Sequence, residues 1–341
     1  MEKIKLDQRH KRHERDTIII DRMGLLADQL EGDAKQLILS DIQRMETLST
    51  AEVESNSEDA SVELMSVAFS RMSQEVTALL DAKTKEMQEA YDQASTANRE
   101  IQSSINYAAK LQRALLRAER FPDDFKIDLT WRPRDVVGGD IYVVRTTDHK
   151  TVIAVIDCTG HGVPGAIVSV VCNNALNRSV RQYGLTKPDD ILNKTRDIVV
   201  DAFSQNEDVR DGMDAALCSI KDNKLYYAGA NNPLWLFRNG ELEIFQSDRQ
   251  PVGRYEHEKP FSCQEIDLIK GDTVYIFSDG YADQFGGLKN KKFKSTQLKR
   301  LLLSIQDKNL DQQKEILSKE FDKWRGNYEQ MDDVCIMGVR V

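Results

Sequence analysis

After residue 134, aspartate recurs beside glycine or a second aspartate in four segments. They are Asp135-Val136-Val137-Gly138-Gly139-Asp140, Asp157-Cys158-Thr159-Gly160-His161-Gly162-Val163-Pro164-Gly165, Ser278-Asp279-Gly280 and Met331-Asp332-Asp333. Each adjoins a short apolar run: IYVVRT after Asp140, TVIAVID ending at Asp157, DTVYIFSD ending at Asp279, and VCIMGVRV after Asp333. Such β-branched runs bounded by turn residues read as buried strands. A carboxylate at the tip of a buried strand is badly placed for stability. Clustered carboxylates repel one another and lose hydration unless a cation neutralises them. Hard oxygen donors on strand ends suit magnesium or manganese. A single Asp-Gly is ordinary turn chemistry; the recurrence in four places is what points to a metal.

The elements that must position these residues follow from an uneven composition. Residues 1–119 contain no proline and only Gly24 and Gly32, whereas all seven prolines and the other 16 glycines follow Phe121. At ~100–200 residues per domain, 341 residues suggest two units. The first third is expected to be helical, and the remainder a turn-rich domain of strands and helices. The expected organisation is a helical regulatory segment at 1–60, a coiled-coil or signalling helix at 61–119, and a catalytic domain at 120–341. Residues 49–61, STAEVESNSEDAS, read as a linker between two helical pieces.

The first piece, Ile18–Leu48, carries apolar residues at roughly helical spacing. The basic start, residues 1–15, reads as a solvated helix end or as a contact with an anionic membrane or partner. In the second piece Met87, Ala94, Ile101, Ala108 and Leu115 recur every seven residues, with Ala90, Ala97, Ser104 and Leu111 as a second series. Together they make an a/d seam. Being rich in alanine, the seam predicts either a marginal homodimer or a helix packed on its own domain.

Other classes are excluded by composition. A net charge of −9, from 47 basic and 56 acidic residues, argues against a nucleic-acid protein that works by phosphate neutralisation. No apolar run reaches the ~18 residues of a membrane span, and the first residues lack the apolar stretch of a signal peptide. Cys158, Cys172, Cys218, Cys263 and Cys335 are dispersed, without a CxxC pair. They read as reduced thiols of a cytoplasmic protein.

The set and order of D-V-V-G-G-D, D-C-T-G-H-G-V-P-G, A-G-A-N-N-P, S-D-G-Y-A-D-Q and D-D-V resemble the PPM superfamily of metal-dependent serine/threonine phosphatases (protein phosphatase 2C-like), in its bacterial SpoIIE-like branch. The resemblance covers about residues 120–341. It implies an α-β-β-α sandwich, two antiparallel sheets flanked by helices, with Mn2+ or Mg2+ as cofactor: two ions, and a third in some members. It places Asp140 and Asp157 at the metal cluster, with Asp157 bridging two ions and the Cys158 backbone carbonyl as a further ligand. Asp279 matches the next metal aspartate. In the final pair Asp332 is the expected ligand and Asp333 the alternative. The implied mechanism is attack on phosphorus by a water that the two ions acidify, without a phosphoenzyme.

His161 is a candidate proton donor to the leaving serine oxygen. Eukaryotic relatives carry D-G-H-G, whereas Thr159-Gly160 intervene here, so shaping the glycine turn is the other reading. The helix after this motif is expected near Ile167. Asp211 and Asp214 read either as support for a third ion or as a strand-entry turn. Asn231-Asn232-Pro233 reads as a capped turn or a substrate contact. The basic stretch with Lys289, Lys291, Lys292 and Lys294 reads as a solvated loop or as a dock for an acidic partner. Trp131, Trp235 and Trp324 are expected in the core or at its edges.

The resemblance implies a protein phosphatase acting on phosphoserine or phosphothreonine. The implied substrate is a STAS-domain anti-sigma-factor antagonist in a bacterial partner-switching pathway, with the N-terminal helices regulating. The competing readings are a catalytically weak or inactive phosphoprotein-binding scaffold, and a metallohydrolase of small phosphoesters. The presence of all four principal aspartates favours the enzyme over the scaffold, since a carboxylate cluster without its cation is unfavourable.

Overall fold

The computed structural model describes residues 59–116, 126–147, 150–204 and 211–341, with isolated helical residues between 17 and 47. The basic start, most of the Ile18–Leu48 piece, the Ser/Glu-rich stretch up to 58 and the junction at 117–125 lie outside the described residues. Two compact units are divided between Arg99 and Glu100.

Without proline or glycine to interrupt it, helix α1 runs from Asp59 to Leu115. Residues 59–61 of the linker expected at 49–61 therefore belong to this helix. From Glu100 on, α1 belongs to the unit that contains the sheets. There Ala109, Gln112 and, just past the helix end, Leu116 are buried, and Ile105 is partly so. These residues follow the three-and-four spacing of one helix face. The heptad seam is a different stripe: Met87, Ile101, Leu111 and Leu115 are exposed, as is Ala108. Packing on its own domain and seam exposure thus use separate faces of one helix. Among the described residues no helix is long and apolar enough to cross a membrane.

The sheets form the sandwich. One sheet has the order β1 (Lys126–Arg132), β13 (Val334–Arg340), β10 (Thr273–Phe277), β6 (Leu234–Arg238) and β7 (Glu241–Phe245). The other has β2 (Ile141–Thr147), β3 (Lys150–Cys158), β4 (Gly212–Lys221), β5 (Lys224–Ala230) and β9 (Gln264–Asp267), with β8 (Val252–Gly253) beside the start of β4. Neighbouring strands are antiparallel throughout. A separate hairpin pairs β11 (Phe285–Gly286) with β12 (Lys291–Lys292).

The two-residue period of the strands sorts their side chains into layers. In β3, Ile153 and Val155 join Val274, Ile276, Cys335 and Met337 between the sheets. The alternating Val152, Ala154, Ile156 and Cys158 face α2 (Gly162–Asn177) and α3 (Pro188–Ala202). On the other side, Tyr275, Phe277, Trp235 and Ile336 pack on α5 (Ser295–Ser304) and α6 (Leu310–Arg325), with the short α4 (Gly280–Asp283) at the strand ends. The result is the expected α-β-β-α sandwich. Trp235 is in the core, and Trp131 and Trp324 are half-buried at its edges.

Helix α2 begins at Gly162 rather than near Ile167. Pro164 lies in the first turn, where its missing N–H costs nothing. The helix start presses against the turn and loop that carry the aspartates. A Cβ on Gly165 would lie 2.1 Å from the Gly160 carbonyl oxygen and 3.2 Å from Gly139 Cα. Backbone cannot yield as a flexible side chain can, so Gly165→Ala is expected to destabilise the domain by ~1–3 kcal/mol. Its denaturant midpoint should fall with the slope unchanged. A midpoint equal to that of the wild type would contradict this packing.

Candidate metal centre

Antiparallel pairing brings the aspartates together. The start of β2, the end of β3 and the start of β4 share one end of their sheet. The end of β10 and the start of β13 share one end of the other. Asp157 stands directly opposite Asp214 in the β3–β4 ladder. Like charges so placed repel. Both continue the inter-sheet rows, Asp157 after Ile153 and Val155, Asp214 before Ala216 and Cys218. Asp214 is therefore inside a strand, not in an entry turn.

Asp140 is 2% exposed. Its side chain accepts a hydrogen bond from Ser278 Oγ, and its carbonyl accepts one from Trp131 Nε1 at 2.9 Å. Ser278 Oγ in turn accepts from Cys335 N at 2.9 Å, so the hydroxyl ties β13 and the residue after β10 to the residue before β2. Burial, and then the nearby Asp157, lift the Asp140 carboxyl well above the ordinary range. Asp157 is lifted for the same first reason, and then by Asp279, Asp332 and Asp214. Asp279, whose side chain still reaches solvent, is pushed up to about 6, by partial desolvation first and then by Asp283 and Asp332. Asp214 is raised by burial, against an opposing hydrogen bond from Asn231 Nδ2 at 2.8 Å.

The last pair divides its work. Asp333 Oδ1 accepts from Arg134 N at 2.6 Å, while Oδ2 accepts from Gly139 N at 2.5 Å and Asp140 N at 3.4 Å. Asp333 thereby clamps the Gly138-Gly139-Asp140 loop through its backbone N–H groups. Asp332 is less buried and acts through space on Asp140, Asp157 and Asp279. The Cys158 thiol points the other way, into the layer under the helices beside Cys172, and burial pushes it up. Its carbonyl faces Gly139. His161 stands at the N-cap position of α2 without a side-chain capping bond and sits, about half exposed, 3.3 Å from Asp135 Oδ2. Asn231 has a positive φ of 57° and points its amide at Asp214.

Sequence reasoning missed Gln112. Its buried amide donates to the Gly138 carbonyl at 2.6 Å and to Ser169 Oγ at 3.1 Å, and accepts from Gly138 N at 3.3 Å. The end of α1 thus holds the aspartate loop at Gly138, beside the residues that Asp333 holds. A glutamine within a helical repeat gives no sign of a partner 26 residues away. It lies four residues after the Ala108 seam position, off both heptad series, and that offset was the only available signal.

Among the described residues no three His, Cys, Asp or Glu side chains gather at one point as a cage for a single ion. The carboxylates instead form a row at the strand ends, acting on one another through space, and the Cys158 and Gly160 carbonyls lie beside Gly139. That set fits hard divalent cations taking a few carboxylate oxygens each and completing their shells with carbonyl and water. When bound, such ions would supply Lewis acidity and neutralise the row.

Because the folded-state values are raised, the carboxyls stabilise the metal-free fold fully below their unfolded values. That contribution is lost as pH climbs through their folded values, about 6 for Asp279. The metal-free domain is therefore expected to melt at lower temperature at pH 7.5 than at pH 5.5. Added manganese should raise the melting temperature more at pH 7.5 than at pH 5.5. Calorimetry with and without chelator measures both, and a pH-independent manganese effect would contradict the coupled row.

Residues 147–341 match the family model for Stage II sporulation protein E (SpoIIE). The chain is 22% identical over 242 residues to the phosphoserine phosphatase RsbP of Bacillus subtilis (strain 168). The match covers 70% of this chain and 57% of that relative, so the chain spans little more than half of its length. Among solved structures, the SiaA-PP2C domain of Pseudomonas aeruginosa superposes with a TM-score of 0.64 at 30% identity, over 72% of this chain and 98% of that one. The PP2C phosphatase domain and regulatory fragment of SpoIIE from Bacillus subtilis gives 0.53 at 17% identity, over 66% and 64% of the two chains, a likeness of fold. With more than half of its residues matched by the family model and its sandwich shared with a PP2C domain at 30% identity, the chain belongs to the SpoIIE-like branch of the PPM phosphatase family.

Proposed function

We propose that the chain is a metal-dependent protein serine/threonine phosphatase that hydrolyses phosphoserine or phosphothreonine on a partner protein. The observation that carries this reading is the row of mutually repelling carboxylates at one end of the inter-sheet layer, with Asp140 buried, Asp157 and Asp214 partly buried and Asp279 open to solvent. Two Mn2+ or Mg2+ ions suit the row, and when bound they would supply Lewis acidity for hydrolysis at phosphorus. Asp157 is assigned the shared position, because it couples to carboxylates from both sheets. Asp140 and Asp279 flank it. Asp332 is assigned as a ligand ahead of Asp333, whose two oxygens are committed to backbone N–H groups. Asp214, opposite Asp157, suits a third ion. The Cys158 carbonyl is a further ligand, and its thiol takes no part. His161, beside Asp135 and outside the row, is assigned to the turn.

For the substrate, the family resemblance and the phosphoserine phosphatase relative support a phosphorylated STAS-domain antagonist of a cytoplasmic partner-switching pathway. For regulation, the exposed seam at Met87, Ile101, Leu111 and Leu115 supports a homodimer through α1. A change of register in that coil would move Gln112, and with it the loop carrying Asp140.

Two experiments test these assignments. Hydrolysis of p-nitrophenyl phosphate should require manganese or magnesium and stop in excess EDTA. Asp157→Ala should lose at least ~100-fold in kcat, while Cys158→Ala keeps most activity, since alanine has the same carbonyl. Activity that survives EDTA would refute the metal reading, and loss in Cys158→Ala with metal still bound would implicate the thiol. Alanine layers bury little area at ~25 cal/mol per Å². Ala94→Leu/Ala97→Leu should therefore tighten a dimer seen by sedimentation and shift basal activity. A strict monomer at high concentration would rule the coil out.

A further inference from the structure

The small hairpin is the strongest unexplained feature outside the metal row. Its tip, 287–290, is a tight turn closed by Asn290 N donating to the Gly287 carbonyl at 3.2 Å. Leu288 at the tip is fully exposed, and Lys289, Lys291, Lys292 and Lys294 surround it. A bare leucine amid lysines does nothing for the fold of a chain whose net charge is −9.

The hairpin is rigidly mounted. Gly287 N donates to the Trp324 carbonyl at 2.8 Å, and a Cβ on Gly286 would lie 2.0 Å from that same oxygen. Trp324 Nε1 donates to the Gln284 carbonyl at 3.1 Å, and Phe293 N donates to it at 2.9 Å. The mount also fixes the hairpin beside the metal row. Lys292 Nζ bonds Asp283 Oδ2 at 2.6 Å, and Asp283 N donates to the Asp279 carbonyl at 3.0 Å. Among the described residues no ion pair holds Lys289, Lys291 or Lys294.

Lys294 adds an independent observation. Its backbone has φ 72° and ψ 147°, a region almost reserved for glycine, and costly for other residues. Its N–H bonds the Ala282 carbonyl at 2.7 Å, and its side chain is exposed. The fold would be served better by glycine there, so the side chain has a use outside the fold.

We propose that this hairpin and Lys294 form a docking tip for an acidic stretch flanking the phosphorylated residue of a protein substrate, with Leu288 seated against an apolar side chain of that stretch. The proposal rests on the phosphatase reading. Charge complementarity selects the occupant: Lys289, Lys291 and Lys294 form an exposed cationic edge beside the acidic row, and such an edge attracts an acidic stretch.

The test uses the full chain and two labelled phosphoserine peptides of equal length, one with Asp, Glu and Leu around the phosphoserine, the other with Lys and Ser. Affinities are read by fluorescence anisotropy in EDTA, independently of turnover. The wild type should bind the acidic peptide ~10-fold more tightly at low salt, with the preference fading at ~0.5 M salt. Lys289→Glu/Lys291→Glu/Lys294→Glu should abolish or reverse the preference while hydrolysing p-nitrophenyl phosphate normally. Lys294→Gly should raise the denaturation midpoint yet weaken acidic-peptide binding, which a purely structural residue would not do. Equal binding of the two peptides by the wild type would overturn the proposal, whether or not the chain hydrolyses the aryl phosphate. So would a triple variant that loses binding to phosphatidylserine vesicles but keeps the peptide preference. Failure of wild-type hydrolysis with metal present, beside an intact peptide preference, would instead count against the phosphatase reading alone.

Discussion

The repulsion among carboxylates gathered at one end of the inter-sheet layer is the constraint on which the rest of this domain depends. Asp140, Asp157 and Asp214 occupy positions that apolar residues fill elsewhere along the same pleat rows. Left uncompensated, they raise one another and oppose folding. The apolar layers are what hold them in place. Ile153, Val155, Val274, Ile276 and Met337 behind the row are fully or almost fully buried, and their burial is what keeps the strand ends converged.

Around that row the chain spends its most specific hydrogen bonds. Ser278 joins the two sheets where they meet, and Asp333 clamps the Gly138-Gly139-Asp140 loop by backbone N–H groups. Glycine is needed where these pieces touch. A Cβ at Gly138 would lie 2.6 Å from the Asp333 carboxylate. The Asp-Gly alternation of the motifs thus has two separate causes: carboxylates for charge, and missing side chains for close approach.

The end of α1 shares in this construction. Gln112 exchanges donors and acceptors with the backbone of Gly138 much as a neighbouring strand would. A buried amide with both ends satisfied is sensitive to displacement, because a small shift leaves polar groups unpaired. That sensitivity gives the helix a mechanical hold on one side of the row, while its heptad face stays exposed.

The sequence by itself determined the strands that adjoin the aspartate motifs, the division of composition near residue 120 and the identity of the clustered acids. Each of these is written locally, in period-two apolar runs, in the placement of Pro and Gly, and in Asp at run ends. It put the start of α2 near Ile167, five residues late, because Gly162 and Gly165 read as turn residues although both lie inside the helix. What only the tertiary structure decided was pairing across distance. Register set Asp214 against Asp157, and the contact between sheets separated the clamping Asp333 from Asp332, which acts on the row. Packing buried Ala109 and Gln112 while leaving Ala108 exposed, a one-residue rotation that the heptad pattern does not encode. Local pattern says which residues are apolar or charged, whereas the face each one presents depends on partners brought together from the far end of the chain.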